Sequence, residues 1–217
     1  MDTAQARRYM VDGQLRPNKV TDPRLIDAML RLPRERFVPR AQAARAYADA
    51  DLPLGDGRVM IQPMMQARLL QLGTPRPGDR VLVVGAGTGY AAALLAELGT
   101  HVVALEESAA LLAAARDSLA ASAPAVQLVQ GPLPAGWPAG APYDLILVEG
   151  AVEQIPEALA GQLAEGGRLV AVTVPPGRAG TAVIGRHAGG SFSTVEAFDC
   201  HTATLPGFAP RQGFVFA

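Results

Sequence analysis

Apolar and polar positions follow two different rhythms along this chain. Up to about Pro77 the apolar residues recur at helical spacing. Leu25, Ile26, Met29, Leu30 and Leu32 fall at near-helical intervals and predict a helix over 24–32. Asp22-Pro23 ahead of it reads as an N-cap followed by proline at the first helical position. Pro33 and Pro39 break the pattern, and 49–57, rich in Asp, Pro and Gly, reads as a loop. A second amphipathic helix is predicted over 64–72, with Met65, Leu69, Leu70 and Leu72 on its apolar face. From Pro77-Gly78-Asp79 the rhythm changes. Val81-Leu82-Val83-Val84 is wholly apolar, as a strand buried on both faces of a parallel sheet must be. Helices over 91–98, 109–120 and 156–164 then alternate with strands over 101–105, 126–129, 144–148 and 168–174, with a turn at Gly166-Gly167. That alternation predicts an α/β fold, a parallel sheet with helices on both faces. After Pro175 three strand-like pieces, 181–184, 193–198 and 214–216, have no long helix between them and predict antiparallel pairing at one end of the sheet. The chain divides on this reading into a helical cap, 1–76, and a sheet domain, 77–217, that carries the C-terminal strands.

Composition narrows the function classes without naming one. Of 217 residues, 49% are hydrophobic and 18% charged, which excludes a disordered chain. The net charge of −1 gives no basic excess toward nucleic acid or anionic lipid. A single cysteine, Cys200, excludes an internal disulfide framework. The polar N-terminus lacks the apolar stretch of a signal peptide, and Gly, Pro or a charge interrupts every apolar run, so a cytoplasmic protein is expected. His101, His187 and His201 are scattered, and adjacent Cys200 and His201 on an extended segment point apart, so no metal site is predicted.

Candidate chemistry concentrates in Gly85-Ala86-Gly87-Thr88-Gly89-Tyr90, directly after the apolar strand. Three glycines at alternate positions let the turn bend sharply and let a ligand lie against the backbone at a helix N-terminus. Glu106 closes the next strand, 21 positions after Gly85, where an acid in open α/β sheets grips two ribose hydroxyls. A dinucleotide fingerprint places its third glycine one residue later, where this chain has Tyr90. No Lys-Ser or Lys-Thr follows, as a triphosphate-cradling loop needs. The spacing favours S-adenosylmethionine, whose adenosine carries no pyrophosphate. A nicotinamide dinucleotide and a glycine turn used only for packing are the alternatives.

These segments, with others on either side, resemble the protein-L-isoaspartate O-methyltransferase family, a branch of the class I methyltransferases with a Rossmann-like sheet. Leu32-Pro33-Arg34-Glu35-Arg36-Phe37-Val38-Pro39 is similar to the family's V-P-R-x-x-F-V-P. The run from Tyr47 to Gly57 is similar to its A-Y-x-D-x-x-L-P-I-G-x-G. Gly136-Trp137-Pro138, Ile155-Pro156-Glu157-Ala158-Leu159 and the run from Gln162 to Val170 continue the likeness. The resemblance implies methyl transfer from S-adenosylmethionine to the free carboxylate of isoaspartyl residues in damaged proteins. The substrates would be isoaspartyl-bearing peptides, with neither nucleic acid nor membrane as partner. It implies that the glycine loop and Glu106 hold the cofactor, and that the N-terminal helices and 49–63 cover the site and bind the peptide.

The chain departs from the family pattern beside the chemistry. Where the family reads G-x-T-I-S-x-P, this chain has Gly57-Arg58-Val59-Met60-Ile61-Gln62-Pro63, so Val59 and Ile61 stand for the threonine and serine. Pro132 stands for an aspartate on the adenine amino group, Val83 for an acid in the first sheet strand, and Glu149-Gly150-Ala151 for T-A-A. Asp49, Arg58 and Ile61 are the acceptor-side candidates, Arg58 as the cation that attracts a carboxylate. Glu149 joins the cofactor set as a replacement hydrogen-bond acceptor. A carboxylate nucleophile is already ionised at neutral pH, so losing a serine removes a positioning contact and leaves the nucleophile intact. The departures set two alternatives beside repair: a non-catalytic binding or interaction protein of the same fold, and a methyltransferase for a different, less charged acceptor.

Overall fold

The computed structural model describes residues 2–208. The strand expected over 214–216 lies outside the described residues. Helix α1, Thr3–Met10, starts where the Asp2 carboxylate accepts from the Ala4 N–H. It continues through a π-helical turn, Val11–Leu15. Helix α2, Pro23–Arg31, starts as predicted: Asp22 accepts from the Arg24 N–H at 2.9 Å and Pro23 takes the first helical position.

The expected loop over 49–57 is half strand. Strands β1, Leu52–Gly55, and β2, Arg58–Met60, form an antiparallel hairpin. Asp56 (φ 50°) and Gly57 (φ 70°) both lie in the left-handed region that a two-residue hairpin turn requires. The Asp/Gly/Pro composition thus marks the turn, while Leu52 and Met60 pair across the ladder and face the core.

Helix α3, Pro63–Gly73, leads into β3, Arg80–Val84, α4, Tyr90–Glu97, and β4, His101–Glu106. Then come α5, Ala109–Ser122, β5, Gln127–Gln130, β6, Tyr143–Val152, and α6, Glu157–Ala160. Three long strands end the described chain: β7, Leu163–Thr173, β8, Thr181–Ala188, and β9, Ser191–Asp199. The sheet runs β5-β4-β3-β6-β7-β8-β9. Strands β3 to β7 are parallel, and β8 and β9 close one end antiparallel, as the tail pattern predicts. The helix expected over 156–164 is one turn, and Gly166-Gly167 lies inside β7. Leu163 already pairs with Tyr143, and the Gln162 side chain donates to the Ala135 and Ala158 carbonyls, so the strand resumes at once. A Cβ on Gly167 would sit 2.9 Å from the Tyr143 carbonyl oxygen, which only glycine permits this close to the neighbouring strand.

Alternation along β3 divides the core. Val81 and Val83 join a cluster with Met10, Leu25, Met29, Leu69 and Leu94. Leu82 and Val84 face the other side, with Leu105, Ile146 and Leu205. Cys200 is fully buried in the first cluster, and its N–H donates to the Gly180 carbonyl. Burial pushes its thiol up to about 12. Among the described residues no helix is long and apolar enough to cross a membrane.

Candidate active site

The chain runs outward from β3 to β4 and β5, then returns to place β6 on the other side of β3. Strand order therefore reverses between β3 and β6, and the crevice beyond their carboxyl ends is where open α/β sheets bind ligands. The sequence puts its glycine loop there. Gly85, Gly87 and Gly89 have φ of 77°, 57° and 92°. The Gly85 and Ala86 N–H groups both donate to the Leu105 carbonyl, which ties the loop to the end of β4. The Thr88 hydroxyl donates to the Phe37 carbonyl, and Tyr90 packs edge-on to the Phe37 ring at 5.3 Å. Thr88 and Tyr90 thus anchor the loop to the N-terminal segment.

Glu106 sits at the centre, 0% exposed. Its Oε2 accepts from the Gly87 N–H at 2.8 Å, and its Oε1 from the Glu107 and Ser108 N–H groups at 2.9 and 3.0 Å. Arg58 completes the shell: Nη1 lies 3.0 Å from both carboxylate oxygens, and Nη2 donates to the Gly85 carbonyl at 2.5 Å. Arg58 is itself 4% exposed. The sequence reading places Arg58 on the acceptor side; the structure puts it on Glu106 and the Gly85 carbonyl.

Glu149 stands across the crevice, at the irregularity between Leu147 and Ala151 in β6, and accepts from Gln66 Nε2 of α3 at 2.9 Å. Burial pushes its carboxyl up to about 7, against the lowering pull of Gln66, Arg58 and Arg34. Glu149, Gln66, Tyr90, Val59 and the glycine loop line a cleft of only about 10 Å³, room for about one water. A cavity of about 220 Å³ opens on the other side of Glu106, lined by Glu107, Ser108, Leu133 and Pro206.

The remaining acceptor-side candidates separate. Asp49 is exposed, on the outer run before β1. Ile61 is fully buried in the core, where its carbonyl accepts from Arg34 Nη2 at 2.6 Å. Asp51, which the sequence reading passed over, accepts from the Gln62 N–H at 2.8 Å and the Thr202 hydroxyl at 2.7 Å and so pins this segment. Gln66 is also passed over by the sequence reading, and Arg34, which enters it only within the Leu32 to Pro39 motif, proves fully buried. Pro132 is exposed, whereas its neighbour Leu133 lines the cavity beside Glu106.

The donor set fits an adenosine-bearing ligand in kind. A buried acid faces the glycine loop, and an apolar-walled cavity adjoins it. Two of the glycine positions are nevertheless covered by side chains of the β1–β2 hairpin. A Cβ on Gly85 would lie 2.7 Å from Arg58 Nη2, and one on Gly87 3.1 Å from Leu54 Cδ1. Ligand entry therefore requires the β1–β2 hairpin side chains to yield.

Comparison with known proteins converges on one family. The family model described as protein-L-isoaspartate(D-aspartate) O-methyltransferase matches residues 6–200. A protein-L-isoaspartate O-methyltransferase of Methylorubrum populi is 51% identical over 175 residues, 81% of this chain and 82% of that protein. One from Methanoregula boonei is 46% identical over 165 residues, 76% of each chain. Among solved structures, a protein-L-isoaspartate O-methyltransferase superposes with a TM-score of 0.80 at 24% identity, over 95% of this chain and 66% of that one. A Plasmodium falciparum β-aspartate methyltransferase, solved with S-adenosyl-L-homocysteine, superposes with the same score at 18% identity, over 94% and 98%. At those identities the two superpositions establish the fold. With the family model spanning nearly all of the described residues and relatives near half identity over most of their length, the chain belongs to the protein-L-isoaspartate (D-aspartate) O-methyltransferase family.

Proposed function

We propose that this protein transfers a methyl group from S-adenosylmethionine to the free carboxylate of isoaspartyl residues in damaged proteins. The observation that carries the reading is the buried Glu106 carboxylate against the Gly87 N–H at the strand-order reversal. S-adenosylmethionine supplies the electrophilic methyl group when bound. Glu106 would hold the ribose hydroxyls, and Gly85 to Tyr90 would lie along the adenosine and amino-acid parts. Leu133 and Pro206 offer apolar walls suited to the adenine ring. Glu149 and Gln66 would face the methyl-donating end of the crevice. The acceptor carboxylate is ionised at neutral pH and needs no base, so the protein's task is alignment and exclusion of water. The cap, 1–76, would cover the site and present the peptide. Arg36 and Val38 line an outer groove of about 420 Å³ between the cap and α5, where a peptide could run.

The test is incubation of an isoaspartyl peptide and its aspartyl counterpart with the protein and S-adenosylmethionine, read by mass. A methyl ester, followed by succinimide, on the isoaspartyl peptide alone supports the reading. A product on neither peptide, or equal products on both, overturns it.

A further inference from the structure

Glu106 has no hydrogen-bonding capacity left for a ligand. A carboxylate offers about four lone-pair directions. Glu106 uses them on the N–H groups of Gly87, Glu107 and Ser108 and on Arg58 Nη1. The three backbone donors are built into the glycine loop and the start of α5. Arg58 is the one partner that can leave. It follows directly on the Asp56-Gly57 turn, and a Cβ on Gly55 or Gly57 would meet nothing within 4 Å, so that tip stands in open space. The tip's other tie to this wall is the exposed hydrogen bond from the Ser108 hydroxyl to Asp56. One side chain thus fills both elements of the cradle, the acid and the bare face of Gly85.

Charge on the acceptor side supplies the second half of the argument. Glu149 and Asp51 are the acids there, and Asp51 is taken by Gln62 and Thr202. Arg34 is fully buried, with Nε on the Ala46 carbonyl, Nη2 on the Ile61 carbonyl and Nη1 without a partner. A carboxylate brought to this end of the crevice meets the Glu149 charge, and Arg34, with no exposed surface, cannot touch it unless the core opens. Arg58, released from Glu106, adjoins this end of the crevice, since the next residue, Val59, lines the same cleft as Glu149.

We propose that Arg58 is a displaceable occupant of the cofactor cradle: it competes with the ribose hydroxyls for Glu106 and, once displaced, becomes the cationic contact for the acceptor carboxylate. The proposal rests on the methyltransferase reading above. It makes binding ordered, because the acceptor site gains its cation only after the cradle is filled. The apparent affinity for the cofactor is lowered by the fraction of molecules in which Arg58 holds Glu106.

Calorimetric titration tests both halves on the full chain, with S-adenosylhomocysteine and an isoaspartyl peptide as probes. Arg58→Met should bind S-adenosylhomocysteine at least tenfold more tightly than the natural protein. The natural protein should bind the peptide at least tenfold better with saturating S-adenosylhomocysteine than without, and Arg58→Met should lose that gain. Arg58→Lys keeps the charge without the fork that spans Glu106 and Gly85. It should gain nucleotide affinity and keep the peptide gain, and it carries the comparison should Arg58→Met not fold. Nucleotide affinity unchanged or weakened in both variants overturns the proposal and leaves the methyltransferase reading standing. Peptide affinity indifferent to the nucleotide in the natural protein also overturns it. Absence of nucleotide binding at millimolar ligand in every form sinks the methyltransferase reading itself.

Discussion

Replacing Glu149 by glutamine should stabilise the protein at alkaline pH and change it little in acid. Burial raises the Glu149 carboxyl from 4.5 to about 7, with Gln66, Arg58 and Arg34 pulling it down and Asp51 adding to the rise. A group whose folded value lies above its unfolded one binds more protons when folded. Stability therefore falls as pH climbs from 4.5 through about 7 and stays level beyond. Each factor of ten in proton affinity is worth about 1.4 kcal/mol, so the full cost of the ionised group is about 3 kcal/mol. Glu149 keeps some exposure, and solvent screening trims this to about 2 kcal/mol. Glutamine retains the carbonyl that accepts from Gln66 and removes the charge. Urea unfolding of both proteins at pH 5 and pH 8 measures the effect. The variant should be more stable by about 2 kcal/mol at pH 8 and by less than about 1 kcal/mol at pH 5, a midpoint shift of about 1 M urea at the higher pH. Equal differences at the two pH values, or a less stable variant at pH 8, would refute the electrostatic account of the crevice.

Three further substitutions probe the scaffold. Gly89→Ala forces φ 92° on a residue with a side chain and drives its Cβ to 2.8 Å from Leu119 Cδ1; urea unfolding should register a loss of about 3 kcal/mol. Arg168→Met removes the donor to Asp79 and to the Gly73 carbonyl at the end of α3, leaving half-buried Asp79 with the Arg76 N–H, and should cost about 2 kcal/mol in the same assay. Asp22→Ala deletes the cap of α2 and should cost about 1 kcal/mol at neutral pH. Hydrogen bonding to Arg24 holds the Asp22 carboxyl below 3.8, so its contribution is complete above that value. The difference between Asp22→Ala and the natural protein should shrink as pH falls below it.

The sheet was legible because its determinants are local. Val81 to Val84 is apolar on both faces, Gly85 to Gly89 marks the turn, and Glu106 closes the next strand, each readable without knowing what packs against it. The hairpin at 52–60 was hidden for the opposite reason. Its strands are three and four residues long, and their register depends on left-handed backbone at Asp56 and Gly57 that composition reports only as a turn. Helix α6 was overextended because Ala158 to Ala164 has helical propensity, which the pairing of Leu163 with Tyr143 overrides. Arg58 was read for its charge and its neighbours in sequence. Its actual partner lies 48 residues away, so it was decided by tertiary packing. Asp49 and Asp51 differ in the same way: identical residue types two positions apart, one facing solvent and one holding Gln62 and Thr202.

Cys200 gives the chain a built-in clock for local opening. It is the only thiol in the sequence, it is buried beside the start of β8, and its thiol is pushed up to about 12. Thiol reagents attack the thiolate, so the native molecule presents them with essentially nothing. Modification has to await separation of the segment around Gly180 and Cys200 from the sheet. When reclosing outpaces the reagent, the labelling rate reports the equilibrium of that separation, independently of global unfolding. No engineered probe is needed. A thiol-reactive dye in native buffer measures how often this end of the sheet comes apart, and repeating it with S-adenosylhomocysteine shows whether filling the crevice is felt that far away.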